Sequence, residues 1–117
     1  MNPYLDTHRN PRLQIKVKLK TWKNIDCVID TGFSGGIALP KLFNKSLVQK
    51  PLAYQEYELA DGTHKTFAVY KFSVKYKHWT KIVTAFFTES QDGLLGIEFL
   101  TGFYLHLNLK QMIIELE

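Results

Sequence analysis

The chain contains a single cysteine, Cys27, among its 117 residues. One thiol cannot close an intrachain disulfide, so the fold must rest on its core, and a reducing compartment is expected. No apolar run approaches the roughly 18 residues that a membrane-spanning helix requires. Met1 to Asn10 also lacks the apolar stretch of a signal peptide. These absences lead to the expectation of a soluble cytoplasmic domain with no membrane partner. Seven Gly and four Pro are too few for a collagen-like or low-complexity chain, and 45% apolar residues are too many for a disordered one. The four His are scattered and form no metal-type cluster with the lone Cys. No Gly-Lys-Ser/Thr follows the glycines, as a phosphate-cradling loop would need. Neither a metal nor a cofactor is therefore expected. The length suits one domain over 1–117, with 1–12 as a flexible N-terminal arm.

Acids are missing from two stretches. Arg9 to Lys23 carries six cations and no acid, and Lys65 to Lys81 carries five cations and no acid. Such runs can track a phosphate backbone. However, Lys16, Lys18 and Lys20 alternate with Ile15, Val17 and Leu19, as on the wet face of a half-buried strand. Lysines on an edge strand also deter edge-to-edge aggregation. The solvated-face reading is preferred, and nucleic acid is not expected as a partner.

What is present is period-2 alternation. Leu13 to Lys20 reads as a strand, Thr21 to Asn24 as a turn and Ile25 to Ile29 as a second strand. Asp30-Thr31-Gly32-Phe33-Ser34-Gly35-Gly36 then breaks the pattern, and Pro40 to Val48 reads as a short helix with Leu42, Phe43 and Leu47 on one side. Tyr54 to Leu59 and His64 to Tyr76 are strands joined around Asp61-Gly62, a hairpin-tip signal. Ala68, Tyr70, Phe72, Val74 and Tyr76 share one face. Trp79 to Phe87 is apolar on both faces and so central. Thr88 to Asp92 is a polar loop, and Ile97 to Leu100 a helical turn after Leu94-Leu95-Gly96. Phe103 to Leu109 and Met112 to Leu116 are strands flanking Lys110-Gln111. The chain reads as mostly β with one or two short helices.

Asp30 is the residue most suggestive of chemistry. It stands where the apolar strand end Ile25 to Ile29 turns into a Gly-rich loop, an expensive place for a carboxylate unless it is hydrogen-bonded. An Asx-turn, with Asp30 bonding its own loop, is the plain explanation. The surrounding residues supply another. Val28 to Gly35, Val-Ile-Asp-Thr-Gly-Phe-Ser-Gly, resembles the active-site loop of the retropepsin-like (clan AA) aspartic proteases, closest to their prokaryotic Asp-Thr-Gly-Phe branch. Ala38-Leu39-Pro40 follows. Leu59 to Thr63 resembles the family's flap tip, and Gly93 to Leu100 its second signature. Order and spacing agree over about Leu13 to Leu116.

The resemblance implies a closed antiparallel β-barrel with a flap hairpin. It also implies an aspartic endopeptidase acting on a polypeptide substrate. One chain offers one catalytic aspartate, so a homodimer would bring Asp30 beside its symmetry mate. Thr31 would reach the partner loop, Gly32 would permit close approach, and Ser34 would bond near the aspartate or cap the turn. Phe33 would line a substrate pocket or join the core. Ala60, Asp61 and Gly62 would close over substrate, unless this is a plain surface hairpin. Met112 to Leu116 would join a dimer sheet or remain a lone edge strand. Viral members often carry Arg after the second-signature Gly, paired with an acid past the Asp-Thr-Gly. Here Ile97 and Ser34-Gly35-Gly36 take those positions, so both halves of the ion pair are absent.

Other readings compete. Gly32 to Gly36 fits G-x-S-x-G, with Asp92 and His106 in hydrolase order, but that fold needs a parallel sheet and crossover helices. Cys27, in an apolar strand, reads as an inert buried thiol. A non-catalytic member of the same fold, serving dimerisation or binding of peptide or nucleic acid, is the alternative from another functional class.

Overall fold

The structure, a computed structural model, describes residues 2–47 and 49–117. Alternation builds its first hairpin. In β2 (Pro11–Lys18), Leu13, Ile15 and Val17 turn into the core while Gln14, Lys16 and Lys18 face outward; in β3 (Trp22–Ile29), Ile25, Cys27 and Ile29 turn inward. The two strands pair antiparallel from Arg12 opposite Val28 to Lys18 opposite Trp22. The turn expected at Thr21–Asn24 lies earlier, because Leu19 N–H already donates to the Thr21 carbonyl at 3.1 Å and β3 begins at Trp22.

Ahead of this hairpin, β1 (Tyr4–Leu5) pairs with Arg12 and Pro11, so the segment expected as an arm lies against β2. After it come β4 (Ile37–Pro40), β5 (Ala53–Glu58), β6 (His64–Tyr76), β7 (Trp79–Thr88) and β8 (Gly93–Leu95). The sheet order is β1-β2-β3-β8-β4-β7-β6-β5, and a further pairing of β2 with β6 closes β2, β3, β8, β4, β7 and β6 into a six-stranded barrel. The barrel is mostly antiparallel, but β3–β8 and β4–β7 run parallel. Both are non-consecutive neighbours, as are the antiparallel pairs β4–β8 and β2–β6; the crossovers that join such strands leave either direction open. Phe72, Phe99, Leu13, Ile15, Ile37 and Leu95 are fully buried at the centre.

Beyond the barrel wall, β5 and the first half of β6 project as a hairpin from Ala53 opposite Val69 to Glu58 opposite His64. The chain ends in a separate hairpin of β9 (Leu105–Asn108) and β10 (Ile113–Leu116). The helical turn α1 (Ile97–Leu100) lies where expected. The helix expected over Pro40–Val48 is instead a 3₁₀ turn, Lys41–Ser46; Pro40 closes β4, and Val48 is outside the described residues. Its tighter winding leaves Leu42 exposed, while Phe43 and Leu47 pack on the core.

Candidate active site

The Asp30 loop is stitched to the start of α1. Asp30 N–H donates to the Leu95 carbonyl at 2.9 Å, and Gly96 N–H to Gly36 O at 2.9 Å. Ile97 N–H donates to Phe33 O at 2.8 Å, and Glu98 N–H to Gly35 O at 3.1 Å. The two segments approach so closely that a Cβ on Gly96 would stand 2.2 Å from the Gly35 oxygen; the loop also lies on β7, where a Cβ on Gly36 would stand 2.4 Å from the Thr84 oxygen. Glycine is required at both places by this backbone contact rather than by its torsion angles.

Asp30 itself is half-buried. Its Oδ1 accepts the Gly32 N–H at 2.9 Å, and its carbonyl accepts the Phe33 N–H at 3.2 Å. The loop therefore has the Asx-turn bond, and Oδ2 receives no hydrogen bond from the described residues. Thr31 and Ser34 are exposed, and neither hydroxyl has a partner among the described residues. A cavity of about 530 Å³ opens from Asp30 and Gly32 to the underside of the β5–β6 hairpin at Leu59 and Ala60. Its aromatic wall is a cluster: Phe86 stacks on Tyr57 at 4.6 Å and meets Phe67 at 4.5 Å and Phe33 at 5.6 Å between centroids. Burial, with Glu98 nearby, raises the Tyr57 phenol above its ordinary range.

Of the residues singled out from sequence, the cavity gathers Asp30, Gly32, Phe33 and Ala60. Asp61 and Gly62 sit beyond it at the hairpin tip. There Gly62, at φ +85°, supplies the left-handed turn residue. Asp61 Oδ1 accepts the Thr63 hydroxyl at 2.6 Å and amide at 2.9 Å, and these bonds hold its carboxyl below the usual range. Tyr57, Phe67, Phe86 and Leu94 line the cavity without having been singled out. The available signal was an aromatic ring interrupting the polar flap strands Tyr-Gln-Glu-Tyr-Glu and His-Lys-Thr-Phe.

Glu98 was missed as well; it fastens α1 to β7 through Thr84. The hydrolase-like trio is not assembled: Asp92 pairs with Arg12 at 2.7 Å, and no hydrogen bond joins Ser34, Asp92 and His106 among the described residues. Burial pushes the Cys27 thiol well above its ordinary range, as expected for an inert core cysteine. Among the described residues no group of His, Cys, Asp and Glu could hold a metal ion, and no helix is long and apolar enough to cross a membrane.

A closed barrel with a flap hairpin over an Asp-Thr-Gly loop is the retropepsin-like fold, and solved structures bear this out. A retropepsin-like aspartic protease from Rickettsia conorii superposes with a TM-score of 0.74 at 19% identity, covering 99% of this chain and 88% of that one. The EIAV protease complexed with the inhibitor HBY-793 gives 0.62 at 14% identity, covering 81% and 88%. The Simian Foamy Virus (mac) protease gives 0.57 at 17% identity, covering 76% and 90%. No protein-family model matches the sequence, and no curated protein matches it.

Proposed function

We propose that the chain is an aspartic endopeptidase that cleaves polypeptides as a homodimer, with Asp30 of each copy forming the catalytic pair. The observation that carries this reading is the half-buried Asp30 at the floor of the cavity beneath the flap, with Oδ1 fixed by Gly32 and Oδ2 unengaged by the described residues. Two carboxylates about 3 Å apart do not both ionise readily, the general property of aspartic-protease dyads, so the pair shares one proton. The charged member takes a proton from water as it attacks the peptide carbonyl. The protonated member donates to the carbonyl oxygen and stabilises the developing charge. No covalent intermediate forms.

Position supports the remaining roles in this reading. Gly32 leaves room beside the carboxylates, and Thr31 and Ser34, unpartnered within the described residues, face the second copy and the substrate. Phe33 and Ala60 border the substrate cavity, with Asp61 and Gly62 shaping the tip that closes over it. The β9–β10 hairpin supports pairing: Tyr104 (68% exposed), Leu109, Met112 and Ile113 present apolar surface on a two-stranded sheet with free edges. Homodimerisation through this hairpin makes 1–117 one domain whose active site is completed by its twin, working in the cytoplasm without metal or cofactor.

The test is cleavage of a diverse peptide library by the wild type and Asp30→Asn, with dimer content measured in the same samples. Cleavage by the wild type alone, with both forming dimers, supports the reading. Two dimers of which neither cuts would favour a non-catalytic binding module.

A further inference from the structure

Barrel closure places like charges face to face. The β2–β6 seam consists of two pairs, Val17 opposite Val74 and Lys16 opposite Lys75. Directly opposed residues bring their Cβ atoms within about 4.5–5.5 Å, where two cations repel. Protection of a sheet edge explains lysines on an exposed edge strand, but β2 is paired on both sides, to β3 and β6. Edge protection therefore does not account for Lys16 and Lys75, and a solvated face explains a lysine at each position but not the direct opposition of the two.

Their surroundings supply no compensating charge. A cavity of about 400 Å³ at the seam is bordered by Gln14, Lys16, Asn24, Lys75 and Lys77, with no acid in its lining. None of these lysines, nor Lys18, forms an ion pair with a described residue. Asp26, on the same outer face, is taken by Arg12 and Tyr4. Lys77 also borders Glu115 and Glu117 on its far side, without an ion pair to either. Next along the face, Trp22 is 41% exposed beneath the Lys18 ammonium, which stands 5.5 Å from the ring. Asn24 and Ile29 are five residues apart along β3, about 17 Å, and Asp30 follows Ile29, so the seam is remote from the cavity under the flap.

We propose that the β2–β6 seam is a binding surface for single-stranded nucleic acid, with Lys16, Lys18 and Lys75 on the phosphates and Trp22 stacking a base. Cations that repel one another in the free protein gain most from a polyanion. An exposed indole beside them selects a strand whose bases are unpaired, because a duplex hides its base faces. This inference does not depend on the peptidase reading.

The test is fluorescence anisotropy with labelled 12-nucleotide oligouridylate and oligothymidylate, a duplex of the same length, and polyglutamate as competitor. Three phosphate contacts on a single strand predict an affinity loss of about tenfold or more between 50 and 200 mM salt. Lys16→Gln/Lys75→Gln lowers the affinity at least fivefold and flattens the salt dependence. The double variant melts no lower than the wild type, because it removes a repulsive pair. Lys50→Gln/Lys110→Gln, with the same loss of charge elsewhere, binds as the wild type does. Trp22→Ala weakens single-strand binding only. The oligouridylate and oligothymidylate arms tell RNA from DNA. Absence of binding at 50 mM salt, equal loss in both lysine pairs, a duplex bound as tightly as a single strand, or polyglutamate competing equally well would each overturn the proposal.

Discussion

Glu98 grips Thr84 with both carboxylate oxygens: Oε1 accepts the backbone amide at 2.7 Å and Oε2 the hydroxyl at 3.0 Å. This joins α1 to β7 and holds the segment against which the Asp30 loop is stitched. Hydrogen bonds to a charged group contribute about 1.5–3 kcal/mol when shielded; because Glu98 is exposed, Glu98→Ala is expected to cost about 1–2 kcal/mol. Glu98→Gln keeps one acceptor and loses less. Urea midpoints at unchanged slope measure both, and equal losses would contradict the paired geometry.

Gly96 tests how close the loop and α1 must come. A Cβ there meets backbone oxygens of Gly35 at 2.2 Å and Phe33 at 2.6 Å, which cannot swing aside as a side chain would. Gly96→Ala should cost about 3 kcal/mol or more, the upper range of overpacking. Gly102 has open space but a φ of +93°, so its substitution strains only the backbone. Gly102→Ala should therefore cost about 1 kcal/mol. Melting temperatures of the two variants decide, and equal shifts would count against the contact.

Legibility in the sequence followed the alternation. β6 was readable from His64 to Tyr76 because Tyr70, Phe72, Val74 and Tyr76 all turn inward while Lys71 and Lys75 turn out. β4 and β8 were not. Ile37-Ala38-Leu39-Pro40 is buried on both faces and Gly93-Leu94-Leu95 nearly so, leaving no periodicity to see, and each pairs with strands distant in sequence. The Asp30 loop and flap tip were legible as local motifs. The aromatic wall of Tyr57, Phe67 and Phe86 was not, because it forms only when β5, β6 and β7 come together.

Arg12 ties the N-terminal segment down, pairing with Asp92 at 2.7 Å, Asp26 at 3.0 Å and Asp6 at 3.4 Å. Amides of Asn10 and His8, with Arg12, hold the Asp6 carboxyl below its ordinary range. A carboxyl lowered by folding stabilises the fold above its unfolded value, about 3.9. That contribution is lost as pH falls through the folded value. The Asp6 clamp is thus intact at neutral pH and releases only below about pH 4. Titration of the Asp6 carboxyl carbon by NMR should show a depressed value that Arg12→Gln raises. An unshifted Asp6 in the wild type would refute the clamp.

The shared proton of an Asp30 pair sets the pH dependence of the proposed reaction. Activity requires one proton on two carboxylates, so the rate should peak on the acid side of neutrality and decline as the second carboxyl ionises. Peptide cleavage followed from pH 4 to pH 9 measures this. A profile flat to pH 9 would exclude the dyad mechanism, whatever the effect of Asp30→Asn.

Phe86 connects the barrel to the flap. Its ring is buried in β7 and meets Tyr57 of β5 and Phe67 of β6, so the flap strands rest on it. Removing a buried Phe ring costs about 3–5 kcal/mol; Phe86→Ala should fall at the lower end, because the ring borders an open cavity. The more specific consequence is local. Without that ring the hairpin keeps only the edge contact of Tyr57 with Phe33, at 6.2 Å between centroids, as its aromatic hold on the floor. The bonded amides of Leu59 and Gly62 at the tip should then exchange with solvent faster than the fall in global stability explains. Phe86→Leu, which restores apolar bulk, should recover most of the stability but less of the flap protection, because it cannot stack on Tyr57. Hydrogen exchange read residue by residue separates the two effects. Tip amides that slow or speed only in step with the β2 core would mean that the flap is held by its own strand pairing and not by this aromatic contact.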